Sequence, residues 1–186
     1  FSDLEPTLAD NIEVCLNNKF FQQYQGRTQT WYSFEGDKYY FDSHAYRAQA
    51  SSEQKAYPVK AISDGDRETA WVTGKRGGVG ESLTLTLDPP DHITQVGLIP
   101  GYTKSKDLYF ANNRVREVEV TVNGSHKITA TLPDEYISFS ARSSKAYQFV
   151  DLGSYQGNAK TIKLTVTKVY AGSRHQDLCI SEVLLR

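Results

Sequence analysis

Four oxygen-bearing side chains crowd into six residues of the stretch Ala61-Ile-Ser-Asp-Gly-Asp-Arg-Glu-Thr-Ala-Trp71: Asp64, Asp66, Glu68 and Thr69, with Gly65 among them. Oxygens at alternate positions about a glycine suit a hard cation such as calcium, because a sharply turning loop can aim several of them at one point. No twelve-residue run from Asp64 ends in glutamate, so this is not the EF-hand pattern. The same residues also spell a polar turn, in which Asp64 and Asp66 accept from nearby backbone N–H groups and Trp71 enters the core. On the residues alone both readings stand.

A second constellation is Pro100-Gly-Tyr-Thr-Lys-Ser-Lys-Asp-Leu-Tyr-Phe-Ala-Asn-Asn-Arg114. It offers aromatic faces in Tyr102 and Tyr109, an amide in Asn113, and cationic donors in Lys104 and Arg114. Sugars need that mixture: a flat apolar surface for their C–H groups and fixed donors and acceptors for their hydroxyls. The competing expectation is an ordinary solvated loop whose Arg114 pairs with a nearby acid. Lys75-Arg-Gly-Gly-Val-Gly-Glu81 is another candidate rim, a glycine loop with two cations that matches no dinucleotide fingerprint.

Signatures of catalysis are missing. The chain has no His-Glu-x-x-His, no Gly-x-Ser-x-Gly and no phosphate loop. His44, His92, His126 and His175 are scattered among polar residues and read as solvated loop side chains, and the adjacent acids Asp134-Glu135 read as surface. The chain is therefore expected not to be an enzyme.

The elements that must position these groups are mostly strands. Alternation of apolar and polar residues in Ser82-Leu-Thr-Leu-Thr-Leu87, Val118-Glu-Val-Thr-Val122 and Ile162-Lys-Leu-Thr-Val-Thr167 is that of half-buried antiparallel strands. Strands are expected over 57–62, 82–87, 93–99, 115–122, 127–132, 148–152, 161–169 and 178–185. Asn123-Gly124 marks a hairpin turn, and loops are expected at Asp88-Pro-Pro-Asp91, 152–157 and 170–173. So many short strands predict an all-β, jelly-roll β-sandwich. Ahead of it, Ile12, Cys15, Leu16, Phe20 and Tyr24 keep helical spacing over 10–24, and two aromatic runs flanking Glu35-Gly-Asp-Lys38 predict a β-hairpin. Residues 1–54 are thus expected to form a helix-and-hairpin extension packed on a sandwich of residues 55–186.

Composition narrows the partners. A net charge of −1 over 186 residues gives no reason to expect nucleic acid, and no apolar run is long enough to span a membrane. The chain opens on Phe1 and contains no Met, so it is expected to be a processed or excised piece. Cys15 and Cys179 fit no zinc or redox spacing. They would either pair, tying the N-terminal segment to the last strand, or stand as two small buried hydrophobes. The exported character of the chain favours the disulfide.

Taken together, Asp64-Gly-Asp-x-x-Thr-x-Trp71, Gly80-Glu81, Gly101-Tyr102-x-Lys104, Asn113-Arg114, Tyr170-x-Gly172 and Asp177-x-x-Ile-Ser-Glu182 resemble a discoidin-related family. More narrowly, they are similar to the glycan-binding, translocation-type domain of NAD-glycohydrolase toxins and bacterial surface proteins. The resemblance covers roughly 55–186. It implies a galactose-binding-like sandwich without catalysis, holding sugar at one end through loops that here carry Tyr102, Lys104, Asn113 and Arg114. It also implies a structural calcium held by Asp64, Asp66, Thr69, the Ala61 carbonyl and Glu182, a role in which Arg67 could substitute. The toxins' NAD cleavage belongs to a separate domain with no counterpart in this chain. The expected protein is a secreted or surface-displayed bacterial module that attaches to a glycan. The alternative is an adhesin for host surface proteins or an architectural module.

Overall fold

The computed structural model describes residues 28–31 and 41–186, apart from 142 and 154. The helix expected over 10–24, and with it Cys15, lies outside them. The order is β1 (Thr28–Trp31), β2 (Phe41–His44), β3 (Arg47–Ala50), a 3-10 turn (Val59–Ser63), β4 (Trp71–Val72), β5 (Ser82–His92), β6 (Gln95–Pro100) and the helix α1 (Lys106–Ala111). Then follow β7 (Arg114–Val122), β8 (His126–Thr131), a 3-10 turn (Ser144–Ala146), β9 (Gln148–Asp151), β10 (Asn158–Tyr170) and β11 (Cys179–Leu185).

Two sheets form the sandwich, one ordered β3-β5-β10-β7-β8 and the other β4-β11-β6-β9, with β1 and β2 paired separately. The alternating patterns do what their period requires. Leu83, Leu85 and Leu87 of β5, Val118, Val120 and Val122 of β7, and Ile162, Leu164 and Val166 of β10 share one core with Leu98, Val150 and Val183 of the opposite sheet. Each such buried side chain contributes roughly 1.5–3 kcal/mol. At the β7–β8 turn, Asn123 and Gly124 both take positive φ, the conformation this pair favours.

β11 departs from simple alternation. Leu178 and Ile180 enter the core, as do Val183 and Leu185, so the inward set changes phase between them. Ser181 and Glu182 thereby fall consecutively outside the core, yet both are buried under flanking loops. A smaller apolar cluster of Ile99, Ala141, Ala146, Tyr147 and Leu184 covers part of the same sheet.

Several expectations are corrected. Residues 57–62 are not a strand: Tyr57 makes one bridge to Gln54, and 59–63 coil into the 3-10 turn after Pro58, whose ring removes a ladder donor. Asp88-Pro-Pro-Asp91 is not a loop but part of β5, where a register shift between Ala159 and Thr161 of β10 lets the prolines pass. The span 100–114 holds α1, capped by the Ser105 hydroxyl accepting from the Leu108 N–H. β3 pairs with β5, so residues 47–50 are an edge of the sandwich and its start precedes residue 55. His44, His92 and His126 lie on strands rather than loops, and His44 Nδ1 sits 3.1 Å from Asp91. β1 and β2 pair antiparallel, Trp31 opposite Phe41, while residues 32–40, where the hairpin's turn is expected, lie outside the described residues. No helix among the described residues is long and apolar enough to cross a membrane.

Candidate functional site

The topology gathers the loops singled out above at the end where β11 begins. The 61–71 segment runs into β4, which pairs with Cys179 and Ile180, while Gly101 bridges to Ile180 and Asn113 to Leu178.

Within the first loop, Gly65 takes φ 74° and the acids organise the turn. Asp64 Oδ1 accepts from the Asp66 N–H at 2.9 Å, Asp64 Oδ2 from the Thr69 hydroxyl at 2.8 Å, and Asp66 Oδ1 from the Glu68 N–H at 2.8 Å. Trp71 is fully buried, its indole N–H donating to the Ser52 carbonyl. Glu182 closes the loop from behind. Its carboxyl is 2% exposed, faces Asp64 and the Gly65 and Asp66 N–H groups, and leaves Oε1 without a partner. Burial first, and then Asp64 beside it, push this carboxyl up to about 9.

The oxygens of the 64–69 turn, with Glu182 facing Asp64, are of a kind a hard cation takes. An orphaned buried carboxylate oxygen, the Asp64 carboxylate, the Thr69 hydroxyl and the Asp66 carbonyl are oxygen ligands of the kind calcium takes. Glu182 also lines a cavity of about 150 Å³ with Tyr46, Ser63, Gly65 and Tyr147. No group of three or more His, Cys, Asp or Glu side chains positioned for a metal occurs among the described residues, so the set here mixes carboxylate with neutral oxygens. Ala61 lies buried in the preceding turn.

The second loop divides in two. Tyr109, Asn113 and Arg114 are 1%, 4% and 4% exposed. The Arg114 guanidinium grips Asp134 through Nε at 2.7 Å and Nη2 at 2.8 Å, and its Nη1 donates to the Asn112 carbonyl at 2.8 Å. It lies 5.3 Å from the Tyr109 ring and 5.2 Å from that of Phe110. Asn113 donates to the Gly77 and Gln176 carbonyls at 3.0 and 3.1 Å and accepts from the Gly172 N–H at 2.7 Å, fastening three loops together. Burial, with Asp134 beside it, raises the Tyr109 phenol above its usual range. Gly101 must be glycine: at φ 81°, an added Cβ would lie 2.7 Å from the Tyr109 ring. Of the residues expected to touch sugar, these three are therefore framework: Asn113 and Arg114 turn their polar groups to the protein itself, and the Tyr109 hydroxyl is buried without a hydrogen-bond partner.

Tyr102 and Lys104 are the accessible half. They wall a cleft of about 550 Å³ whose other side is supplied by Tyr57, Lys60, Asp64 and Glu68. The Tyr57 and Tyr102 rings meet edge to face, 6.1 Å apart at 73°, and Tyr57 remains 37% exposed. The metal-loop residues and the sugar-loop residues thus border one cleft. Arg67 ties its walls: it donates to the Thr103 carbonyl at 3.1 and 3.3 Å and to the Phe139 carbonyl, and stacks on Tyr136. Thr103 and Ser181 complete the tie through their hydroxyls, 3.0 Å apart. Sequence reasoning missed Tyr57 and Lys60, because 57–62 reads as a strand; the Tyr-Pro pair was the signal for a turn there.

The glycine loop is held rather than free. Glu81 is buried against the Ser51 and Ser52 hydroxyls, with Lys75 at 3.5 Å, and Gly78 packs where a Cβ would meet Leu178 at 2.3 Å. Cys179 is buried, and burial pushes its thiol up to about 12.

The family described as NAD glycohydrolase translocation F5/8 type C domain matches residues 31–186. Among solved structures, the chain is similar to the family 32 carbohydrate-binding module of C. perfringens NanJ in complex with galactose (TM-score 0.55, 18% identity, 75% of this chain and 92% of that one). It is also similar to a family 32 module from a family 31 glycoside hydrolase of Clostridium perfringens (TM-score 0.54, 17% identity, 74% and 86% covered). A third likeness, to the mycobacterial arabinofuranosyltransferase AftD, has TM-score 0.54 at 18% identity and spans 74% of this chain but 10% of that protein. These likenesses establish the discoidin-like sandwich. No curated protein matches the chain.

Proposed function

The chain belongs to the NAD glycohydrolase translocation F5/8 type C domain family, and we propose that it acts as a non-catalytic carbohydrate-binding module, secreted or displayed on a bacterial surface. What carries this is the cleft: two phenol rings at an angle, with ammonium and carboxylate groups at its edges, offer a sugar both an apolar face and hydroxyl partners. A structural calcium is proposed behind it, held by Asp64, Thr69, the Asp66 carbonyl and Glu182, with Ala61 and the Asp66 carboxylate adjoining. When bound, the ion supplies positive charge that lets both carboxyls ionise, clamping the loop to β11.

Glycan-array screening of the wild type and Tyr57→Ala, with galactose as the first solution probe, tests the module. Selective hits lost in a variant that melts normally support it, whereas hits that survive the substitution place the sugar elsewhere. A second possibility is a protein partner, favoured by Phe139, which is 49% exposed on the loop that Arg67 ties to the cleft. A blank array with capture of a host surface protein, abolished by Phe139→Ala, would decide for it.

A further inference from the structure

The charges around the cleft are not equivalent. Asp64 lines it, but both its carboxylate oxygens are already taken, one by the Asp66 N–H and the other by the Thr69 hydroxyl, and the group faces Glu182 behind the loop. Glu68 is exposed at the cleft and its carboxylate has no ion-pair partner among the described residues. What offsets its charge is the field of the neighbouring Arg67 guanidinium, whose own donors go to the Thr103 and Phe139 carbonyls. Lys60 and Lys104 are exposed at the cleft as well, and among the described residues neither ammonium has an ion-pair partner within 4.0 Å or a hydrogen-bond acceptor. Elsewhere on the surface the lysines at strand positions 127 and 168 are paired, with Glu119 and Glu117. At the cleft, two ammonium groups without a partner among the described residues thus stand beside one carboxylate that is hydrogen-bonded, Asp64, and one, Glu68, that shares the field of Arg67.

Resting on the carbohydrate-binding assignment above, we infer that the cleft selects saccharides bearing an anionic substituent, a carboxylate or a sulfate. The sugar ring lies against the Tyr57–Tyr102 pair while Lys60 and Lys104 receive the anion. Compact, rotatable ammonium groups suit such an acceptor without demanding the bidentate geometry of a guanidinium. Because the lysines are exposed, each contributes a selectivity of only a few fold, and salt screens it.

Matched probe pairs test this: 3′-sialyllactose against lactose, trigalacturonate against its methyl ester, and a chondroitin sulfate disaccharide against the unsulfated form, each titrated calorimetrically at low and high salt. The expected result is tighter binding of the acidic member of at least one pair, falling as salt rises. Lys60→Gln and Lys104→Gln should each lower that preference about three- to fivefold, while Lys163→Gln, an exposed lysine on β10, leaves it unchanged. The first two pairs report a carboxylate and the third a sulfate. Equal binding of both members of every pair, with no salt dependence, overturns the anionic inference and leaves the carbohydrate module standing. Binding of no member of any pair, together with a blank array, removes the carbohydrate assignment and this inference with it.

Discussion

Two halves of one loop stand a few residues apart and are used in opposite ways. Tyr102 and Lys104 open onto the cleft, whereas Asn113 and Arg114 carry at least as much hydrogen-bonding capacity and are shut inside. The difference lies in what else the fold brings near them. Arg114 finds Asp134 and three backbone carbonyls, and Asn113 finds the turns at 77, 172 and 176. Nothing comparable converges on Lys104. A group rich in functional potential becomes framework when the topology delivers enough partners to satisfy it, and becomes a site when it does not.

The largest test of this contrast is Arg114→Ala. It removes the guanidinium that links Asp134 to the end of α1, and unfolding in denaturant should show a loss of about 3–5 kcal/mol. Wild-type stability with altered sugar binding would move Arg114 back to the ligand side.

Next comes pH. The Glu182 carboxyl is raised in the fold from 4.5 to about 9, so the folded state holds a proton that the unfolded state releases. The stability this proton secures is complete below about 4.5 and is lost as pH rises toward about 9. Melting of the metal-free domain should therefore fall across that window, by at most ~1.4 kcal/mol per pH unit. Calcium should raise melting most at the alkaline end, and Glu182→Gln should flatten the metal-free slope. A flat wild-type profile in chelator would show that Glu182 ionises at its ordinary value.

Asn113→Ala follows, at about 2 kcal/mol, since it strands the buried N–H and carbonyl groups it now serves. Smallest in stability is Tyr57→Ala: within about 0.5 kcal/mol in a melt, yet roughly tenfold in affinity for any sugar the array identifies, the worth of one aromatic contact. If the melt drops as far as for Asn113→Ala, Tyr57 belongs to the framework.

Much of the fold could be read from residues one at a time. Val118-Glu-Val-Thr-Val122 declares its period, and Asn123-Gly124 its turn, because both signals are local. The cleft was harder. Tyr57-Pro-Val-Lys-Ala-Ile62 has strand-like composition, and only the proline argues for the turn that brings Tyr57 and Lys60 to Tyr102. The chemistry of 100–114 was visible, but not its direction: an arginine aimed at solvent and one gripping a carboxylate twenty positions later look alike in sequence. Glu182 is similar, since its depth depends on a change of phase within β11 that Cys-Ile-Ser-Glu-Val does not announce.

β11 sits between β4 and β6, and β4 has no other partner in its sheet. Ser181 and Glu182, which fasten the Tyr102 loop and the Asp64 loop, belong to this same strand. For a chain made from its N-terminus onward, both walls of the cleft are thus synthesised long before the strand that seats them. The recognition end takes shape late, and a protease cut or frameshift that removes only β11 would silence the domain while leaving the five-stranded sheet its full set of strands.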